Sequence, residues 1–546
     1  MISATMMTMP LLLSGVIEHA ARCHGETEVV SRRDDGTLHR QTYADTASRA
    51  RRLARALIEL GAAPGDVIGT LAWNGNRHLE LYYGVPGAGM VCHTINPRLF
   101  AEQIAFIIKD AGDRFLFVDP GFLGLLEGIL PDLPAIEAVV VMDDRAPAAE
   151  LAGVRLLAYE EVLATQADDA FDWPSFDENA AAGICYTSGT TGNPKGVVYS
   201  HRSTILHALS AVQPDVFALS AQDTVMPVVP MFHVNAWGMP HAAPMVGAKL
   251  VLPGGRLDGA SLIELIRGEQ VTATAGVPTV WQGLLGHVEA KGGGLAPLDR
   301  VVIGGAACPP SMMSRFAALG TRAIHAWGMT ETSPLCVASV LTARHRDLEE
   351  DEALRLRLKQ GRPAFGADLR IVDHGGRALP WDGVTRGMLE VRGPWICAGY
   401  LNNPDRTAFS EDGWFATGDV ATITADGFMD IVDRTKDVIK SGGEWISSIA
   451  LENIAIGHPA VREVAAIARP DARWGERPRL VVALREGAAL TPTEMAAWFE
   501  GKVAKWWIPD DLVIVETLPH TATGKLQKRE LRQLYGAERL ESAQAL

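Results

Sequence analysis

The chain has 546 residues, too many for one ordinary core, so at least two domains are expected, one of them large. Apolar residues make up 47% and charged residues 21%, the profile of a soluble globular protein. The 50 basic and 65 acidic side chains leave a formal net charge of −15, which argues against a general nucleic-acid coat and leaves room for a local basic pocket. The six cysteines stand singly, with no CxxC pair, so neither a zinc site nor a disulfide framework is suggested, and reduced thiols in a cytoplasm are the simplest reading. Residues 10–13 are apolar but no basic residue precedes them, so a secretory signal is not expected.

In chain order, residues 51–60 read as a helix stopped by Gly61, 66–71 as a strand, 101–111 as an amphipathic helix, and 114–118 and 138–142 as strands. The segment 224–248 carries no Asp, Glu, Lys or Arg but has four prolines, two histidines and Asn235. It reads as buried wall beside a cleft, not as a membrane span. Strands at 249–252, 272–277 and 300–303 alternate with helices over 261–267, from Pro278 and from Pro309–Pro310. Apolar strands alternating with helices predict mostly parallel sheets covered on both faces. The charge-rich stretch 344–360 reads as a solvated helix. From about Gly366 short strands at 369–372, 387–391 and 421–423, split by turn residues, predict a small antiparallel unit. After Asp433 comes a mixed segment of the size of a small domain. The expected class is therefore α/β, with a large domain over 1–435, a β unit at about 366–432 within it, and a small α+β domain over 436–546.

The string YTSGTTGNPKG, residues 186–196, sets Thr187, Ser188, Thr190 and Thr191 among Gly189, Gly192 and Gly196, with Lys195 beside them. Small residues let a backbone approach an anion and offer it N–H and O–H donors, and the lysine adds a mobile charge. This is a polyphosphate cradle, but not a P-loop, because Lys195 follows a proline and precedes a glycine, so no helix starts there.

The string resembles the signature of the adenylate-forming superfamily: acyl-CoA synthetases, peptide-synthetase adenylation domains and beetle luciferases. HAWGMTET at 325–332 is similar to that family's second nucleotide motif. WFATGD at 414–419 is similar to its ribose motif, DRTKDVIKSGG at 433–443 to its hinge and following loop, and PHTATGK at 519–525 to its catalytic-lysine motif. The resemblance implies a mobile C-terminal lid hinged near Lys436, with ATP, Mg2+ and CoA as reaction partners. It implies two steps: a carboxylate attacks the α-phosphate of ATP and expels pyrophosphate, then a thiol displaces AMP.

On that resemblance Thr187, Ser188, Gly189, Thr190, Thr191, Gly192 and Lys195 hold the β- and γ-phosphates. Thr330 donates to the α-phosphate, and Glu331, with Thr190, holds Mg2+. Asp419 grips the ribose with Arg434. Trp327 and Gly328 meet adenine on one face, and Gly304, Gly305 and Ala306 on the other. Lys525 bridges carboxylate and α-phosphate oxygens. Lys440, Gly442 and Gly443 line the pantetheine path, and Trp445 either touches adenine or packs the lid. The expected acyl-pocket residues are Trp237, Val277 and Trp281, and His233 faces the carboxylate or is a core histidine.

The uncharged wall favours an apolar acid, a medium- or long-chain fatty acid, as the resemblance to bacterial fatty acyl-CoA ligases also implies. The methylmercaptopropionate-CoA ligases look very similar, so that acid or another short one is the alternative. A luciferase-like oxygenase shares the first step. A peptide-synthetase module would want an acidic residue for an ammonium and a carrier domain, and the sequence ends soon after Lys525. No nucleic-acid partner or stable membrane insertion is expected, a cytoplasmic setting is, and a homodimer fits the resemblance.

Overall fold

The computed structural model describes residues 4–167, 171–187, 193–442, 444–520 and 526–536. Among them lie four sheets. A nine-stranded sheet is parallel from Glu28–Arg32 through Lys249–Leu252, Thr224–Pro227, Ala273–Gly276 and Arg300–Ile303 to Arg322–Gly328, with antiparallel strands at both edges. An eight-stranded sheet has a parallel centre, Val91–Thr94, Val67–Leu71, Asp113–Val118 and Ala138–Val141, and its edge hairpin is Ala181–Tyr186 with Gly196–Ser200.

The middles of these strands are apolar on both sides because both faces are covered. Val140 points into the core between the two sheets, where Ile17, Leu53, Leu81 and Ile205 pack, whereas Val139 and Val141 enter a separate core behind the eight-stranded sheet. Likewise Val302 faces inward and Val301 and Ile303 face the core on the far side of the nine-stranded sheet.

The helix Ala101–Ala111 and the strands Lys249–Leu252 and Arg300–Ile303 have the bounds expected of them. The helix expected over 51–60 begins eight residues earlier as Tyr43–Glu59, since Thr42 and Asp45 form a reciprocal capping box. The stretch 344–360 is a short turn and the helix Glu350–Leu358, whose Leu354 and Leu358 pack on the core, so it is solvated on one face only. The strand expected at 421–423 runs instead from Phe415 to Ile423, in a four-stranded antiparallel sheet with Asp368–Val372, Gly387–Arg392 and Met429–Arg434. Polar residues Thr417 and Asp419 hid its first half from a hydropathy reading.

The C-terminal sheet has Ile439–Ser441, Glu444–Ile446, Val461–Asp471, Gly475–Leu484 and Asp511–Val515, with its own core around Leu451, Leu480 and Phe499.

Candidate active site

A cleft of about 1340 Å³ opens where the two large sheets, the four-stranded sheet and the C-terminal body meet. The hairpin at the edge of the eight-stranded sheet brings Thr187, Asn193, Pro194 and Lys195 of the string to it. Its neck is pinched by the Thr187 N–H donating to the Lys195 carbonyl at 2.9 Å, and Tyr186 donates its hydroxyl to Asp110 at 2.7 Å. Ser188, Gly189, Thr190, Thr191 and Gly192 lie outside the described residues, as do Gly443 and Lys525. Lys195 sits 4.8 Å above the ring of Tyr400 and 3.9 Å from Asp405.

Opposite, the strand Arg322–Gly328 ends in a turn, Thr330–Thr332. Gly328 is required there, since a Cβ would lie 1.7 Å from the Pro334 carbonyl oxygen. Thr330 and Glu331 are buried at the cleft wall; the Thr330 carbonyl accepts from Tyr199 at 2.8 Å and a Glu331 carboxylate oxygen from Tyr400 at 2.8 Å. Burial and the Glu331 charge push the Tyr400 phenol well up, so it stays a donor.

The third wall holds Asp419, which pairs with Arg434 across the register of two strands, at 2.7 Å, and accepts from the Trp327 indole at 3.1 Å. Trp327, Gly304, Gly305 and Arg434 all line the cleft, whereas Ala306 is exposed beyond it.

The acyl-side wall is the strained part. Val234, Asn235, Ala236 and Trp237 have φ of 46, 51, 47 and 57°, a left-handed turn without glycine that ends at Gly238. Such backbone costs roughly 1–2 kcal/mol per residue, so the surroundings must hold it. Tyr82 donates to the Met231 carbonyl at 2.5 Å and lies 3.2 Å from the Asn235 amide oxygen. Beneath, His207 crowds Gly238, and burial pushes His207 and His241 down to about 3, so both remain neutral at ordinary pH. His233 and Trp237 line the cleft, and the Trp237 ring lies where a Cβ on Gly304 would come within 2.9 Å of it.

Two expected pocket residues are elsewhere. Trp281 is fully buried on the far side of the nine-stranded sheet, edge-to-face with Phe316 at 6.2 Å. The helix Pro278–Lys291 turns that face outward from the cleft, and Val277, its N-cap, packs on the central core without lining the cleft. Lys440, Gly442 and Trp445 also stand off the cleft. Gly442, with φ 62°, donates to the Trp474 carbonyl at 2.8 Å, and the Trp445 carbonyl accepts from Arg386 at 2.9 Å, against the four-stranded sheet side.

Residues that motif reading missed include Tyr400, Arg98, Lys528 and Arg532, all at the cleft. Arg98 stacks over Trp73 at 5.3 Å and Phe232 at 6.0 Å. No local pattern marks Tyr400; it matters because two distant segments, holding Lys195 and Glu331, converge on one ring. Tyr400→Phe is expected to raise the Mg2+ concentration needed for half-maximal activity by about tenfold, the worth of one hydrogen bond to a charged group, and to leave the melting temperature within a few degrees; a magnesium titration checks it.

One cleft thus gathers the cations Lys195 and Arg434 and the buried carboxylate Glu331 between the large sheets and a small C-terminal body. The "AMP-binding enzyme" family matches residues 17–401, and its "AMP-binding enzyme C-terminal domain" matches residues 450–525. The chain belongs to the AMP-binding enzyme family, in its acyl-CoA synthetase branch. The 3-methylmercaptopropionyl-CoA ligase of Ruegeria lacuscaerulensis is 53% identical over 528 residues, covering 96% of this chain and 98% of that one. The medium-chain-fatty-acid–CoA ligase of Ectopseudomonas oleovorans is 51% identical over 542 residues, covering 99% of each. In fold, the crystal structure of an anthranilate CoA ligase with anthranoyl-AMP matches with a TM-score of 0.86 at 24% identity, over 98% of this chain and 99% of that one.

Proposed function

We propose that this enzyme activates an apolar monocarboxylic acid of medium or long chain as its acyl-adenylate, using ATP, and transfers the acyl group to CoA with release of AMP and pyrophosphate. The observation that carries the reading is the single cleft on which Lys195, Thr330, Glu331, Arg434, Val234 and Trp237 converge, with Asp419 buried behind Arg434 and Trp327.

Step one sets a carboxylate against a triphosphate, so cationic and hydrogen-bonding groups must face the charge that develops. Thr187 and Lys195, with the string's remaining hydroxyls, take the β- and γ-phosphates. Thr330 donates to the α-phosphate, Asp419 accepts from the ribose hydroxyls with Arg434 fixing it, and Trp327 offers a face to adenine. Among the described residues no group of three His, Cys, Asp or Glu could hold a metal by itself. Glu331 is instead one hard oxygen donor with a second-sphere tyrosine, which suits a divalent cation completed by phosphate oxygens. Bound there, Mg2+ would neutralise phosphate charge. His233, at the start of the left-handed turn, faces the acid's carboxylate. Step two needs the lid to turn about Lys436, bringing Lys440, Gly442 and Gly443 to the thiol's path. Lys440 and Gly442 lie off the cleft in this arrangement, which suits the first step. The division into domains 1–435 and 436–546 is part of this reading. So is a cytoplasmic setting, which the six free cysteines support, and light scattering would test for a homodimer.

Acid-dependent pyrophosphate release across a chain-length panel that includes 3-methylmercaptopropionate, with and without CoA, tests the reading. A sample that binds ATP and makes no AMP with any acid overturns it. A short acid is the second reading, favoured by the Trp237 ring seated close to Gly304 at the cleft wall. If that ring limits the tail, Trp237→Ala shifts the preference of kcat/KM toward longer acids by about tenfold or more, since each methylene accommodated is worth about that much. An unchanged chain-length profile would assign Trp237 to the core.

A further inference from the structure

We propose that Ser448 and Lys528 are positioning residues that, through Asp433, hold the last segment of the lid against the cleft in the arrangement that makes acyl-adenylate. The proposal rests on the two-step reading above.

Asp433 is the penultimate residue of the strand Met429–Arg434 and is 1% exposed. One of its carboxylate oxygens accepts the Ser448 N–H at 2.5 Å and the other the Ser448 hydroxyl at 3.0 Å. Ser448 opens the helix Ser448–Ala455, so a carboxylate from the strand that carries Arg434 neutralises the N-terminus of the lid's first helix. The Ser447 hydroxyl donates to the Val432 carbonyl beside it. The Ser448 oxygen in turn accepts from the Lys528 ammonium at 2.6 Å, and Lys528 pairs with Glu452 at 2.7 Å. Lys528 opens the helix Lys528–Tyr535, three residues after Lys525, and four residues further on Arg532 pairs with Asp437, next to Lys436, at 2.5 Å.

Burial opposes the Lys528 charge, but Glu452, Asp433 and Asp437 outweigh it and hold the ammonium above its ordinary range. The charged groups facing this cation are Glu452, Asp433 and Asp437, and Arg529 and Arg532 in turn face Lys436. The relay runs from the strand that fixes the ribose pair, through one hydroxyl, to the helix that follows the catalytic-lysine motif. A turn of the lid about Lys436 carries Ser448 away from Asp433, so the relay acts in one arrangement only.

Ser448→Ala removes the bridging oxygen and leaves the N–H to Asp433 and the Lys528–Glu452 pair in place. Adenylation, read as acid-dependent ATP–pyrophosphate exchange, is expected to fall about tenfold, while thioester formation from synthetic acyl-adenylate stays within about twofold. Ser448→Thr, which keeps the hydroxyl, is expected to restore exchange. Lys528→Met is expected to show the same split more strongly; if it fails to fold, Ser448→Ala decides. Equal loss of both half-reactions, or exchange unchanged in Ser448→Ala, overturns the proposal. If the wild type makes acyl-adenylate and Ser448→Ala matches it, this relay alone fails; if the wild type makes none with any acid, the functional reading fails.

Discussion

Lys525→Ala is expected to reduce acyl-adenylate formation by about a hundredfold to a thousandfold and to leave thioester formation from preformed acyl-adenylate within a few-fold. In the proposed reaction the ammonium would meet negative charge where carboxylate and α-phosphate oxygens approach, a contribution made in the transition state of one step only. Lys525 lies outside the described residues, but its flanks bear on the argument: His520 and Leu526 are bridged to each other, and both line the cleft with Lys528 and Arg532. A lysine bonded to Leu526 thus belongs to a segment whose two ends are at the site. Single-turnover assays of each half-reaction check this, and equal loss in both would remove Lys525 from the chemistry of the first step.

Glu331→Gln is expected to lower adenylation by about a hundredfold and to raise the magnesium requirement together with it. The amide keeps the size of the side chain and an oxygen for the Tyr400 hydroxyl, so the turn Thr330–Thr332 keeps its shape and only the charge is lost. The effect is large because the carboxylate is 7% exposed, where water screens little. A magnesium titration of pyrophosphate exchange measures it; an unchanged requirement with a lower rate would mean that Glu331 serves the turn and not a cation. Set beside Tyr400→Phe, the two variants separate the donor from the carboxylate it orients.

Much of the fold was legible because it is local. In Ala101–Ala111 apolar residues recur at helical spacing and Gly112, with φ 74°, ends the helix. Runs such as Leu250–Leu252 are apolar at every position because both faces are covered. Where polar residues serve the site, the same reading fell short. Phe415–Ile423 is one strand, but Thr417 and Asp419 break its hydropathy since they face the cleft side and a neighbouring carbonyl. Trp281 was expected at the acyl pocket, in a wall running from Val277 to Trp281. Its position in the first turn of the helix rotates it onto Phe316 instead, a matter of about 100° per residue that composition does not reveal.

The amino-acid sequence by itself determined the kind of chemistry: a string of small hydroxyls and glycines with one lysine, a Thr–Glu pair, an Asp and an Arg in neighbouring strands, and an uncharged wall, each identifiable within its own local stretch. Tertiary structure decided which of these meet and what holds them. Tyr400 joins Lys195 to Glu331, Ser448 joins Asp433 to Lys528, and a left-handed turn without glycine presents His233 and Trp237. The reason is physical. A helix or strand answers to its own periodicity, whereas a contact between segments distant in the sequence depends on sheet order, on the crossing of bodies and on strain balanced by neighbours, none of which any one segment encodes.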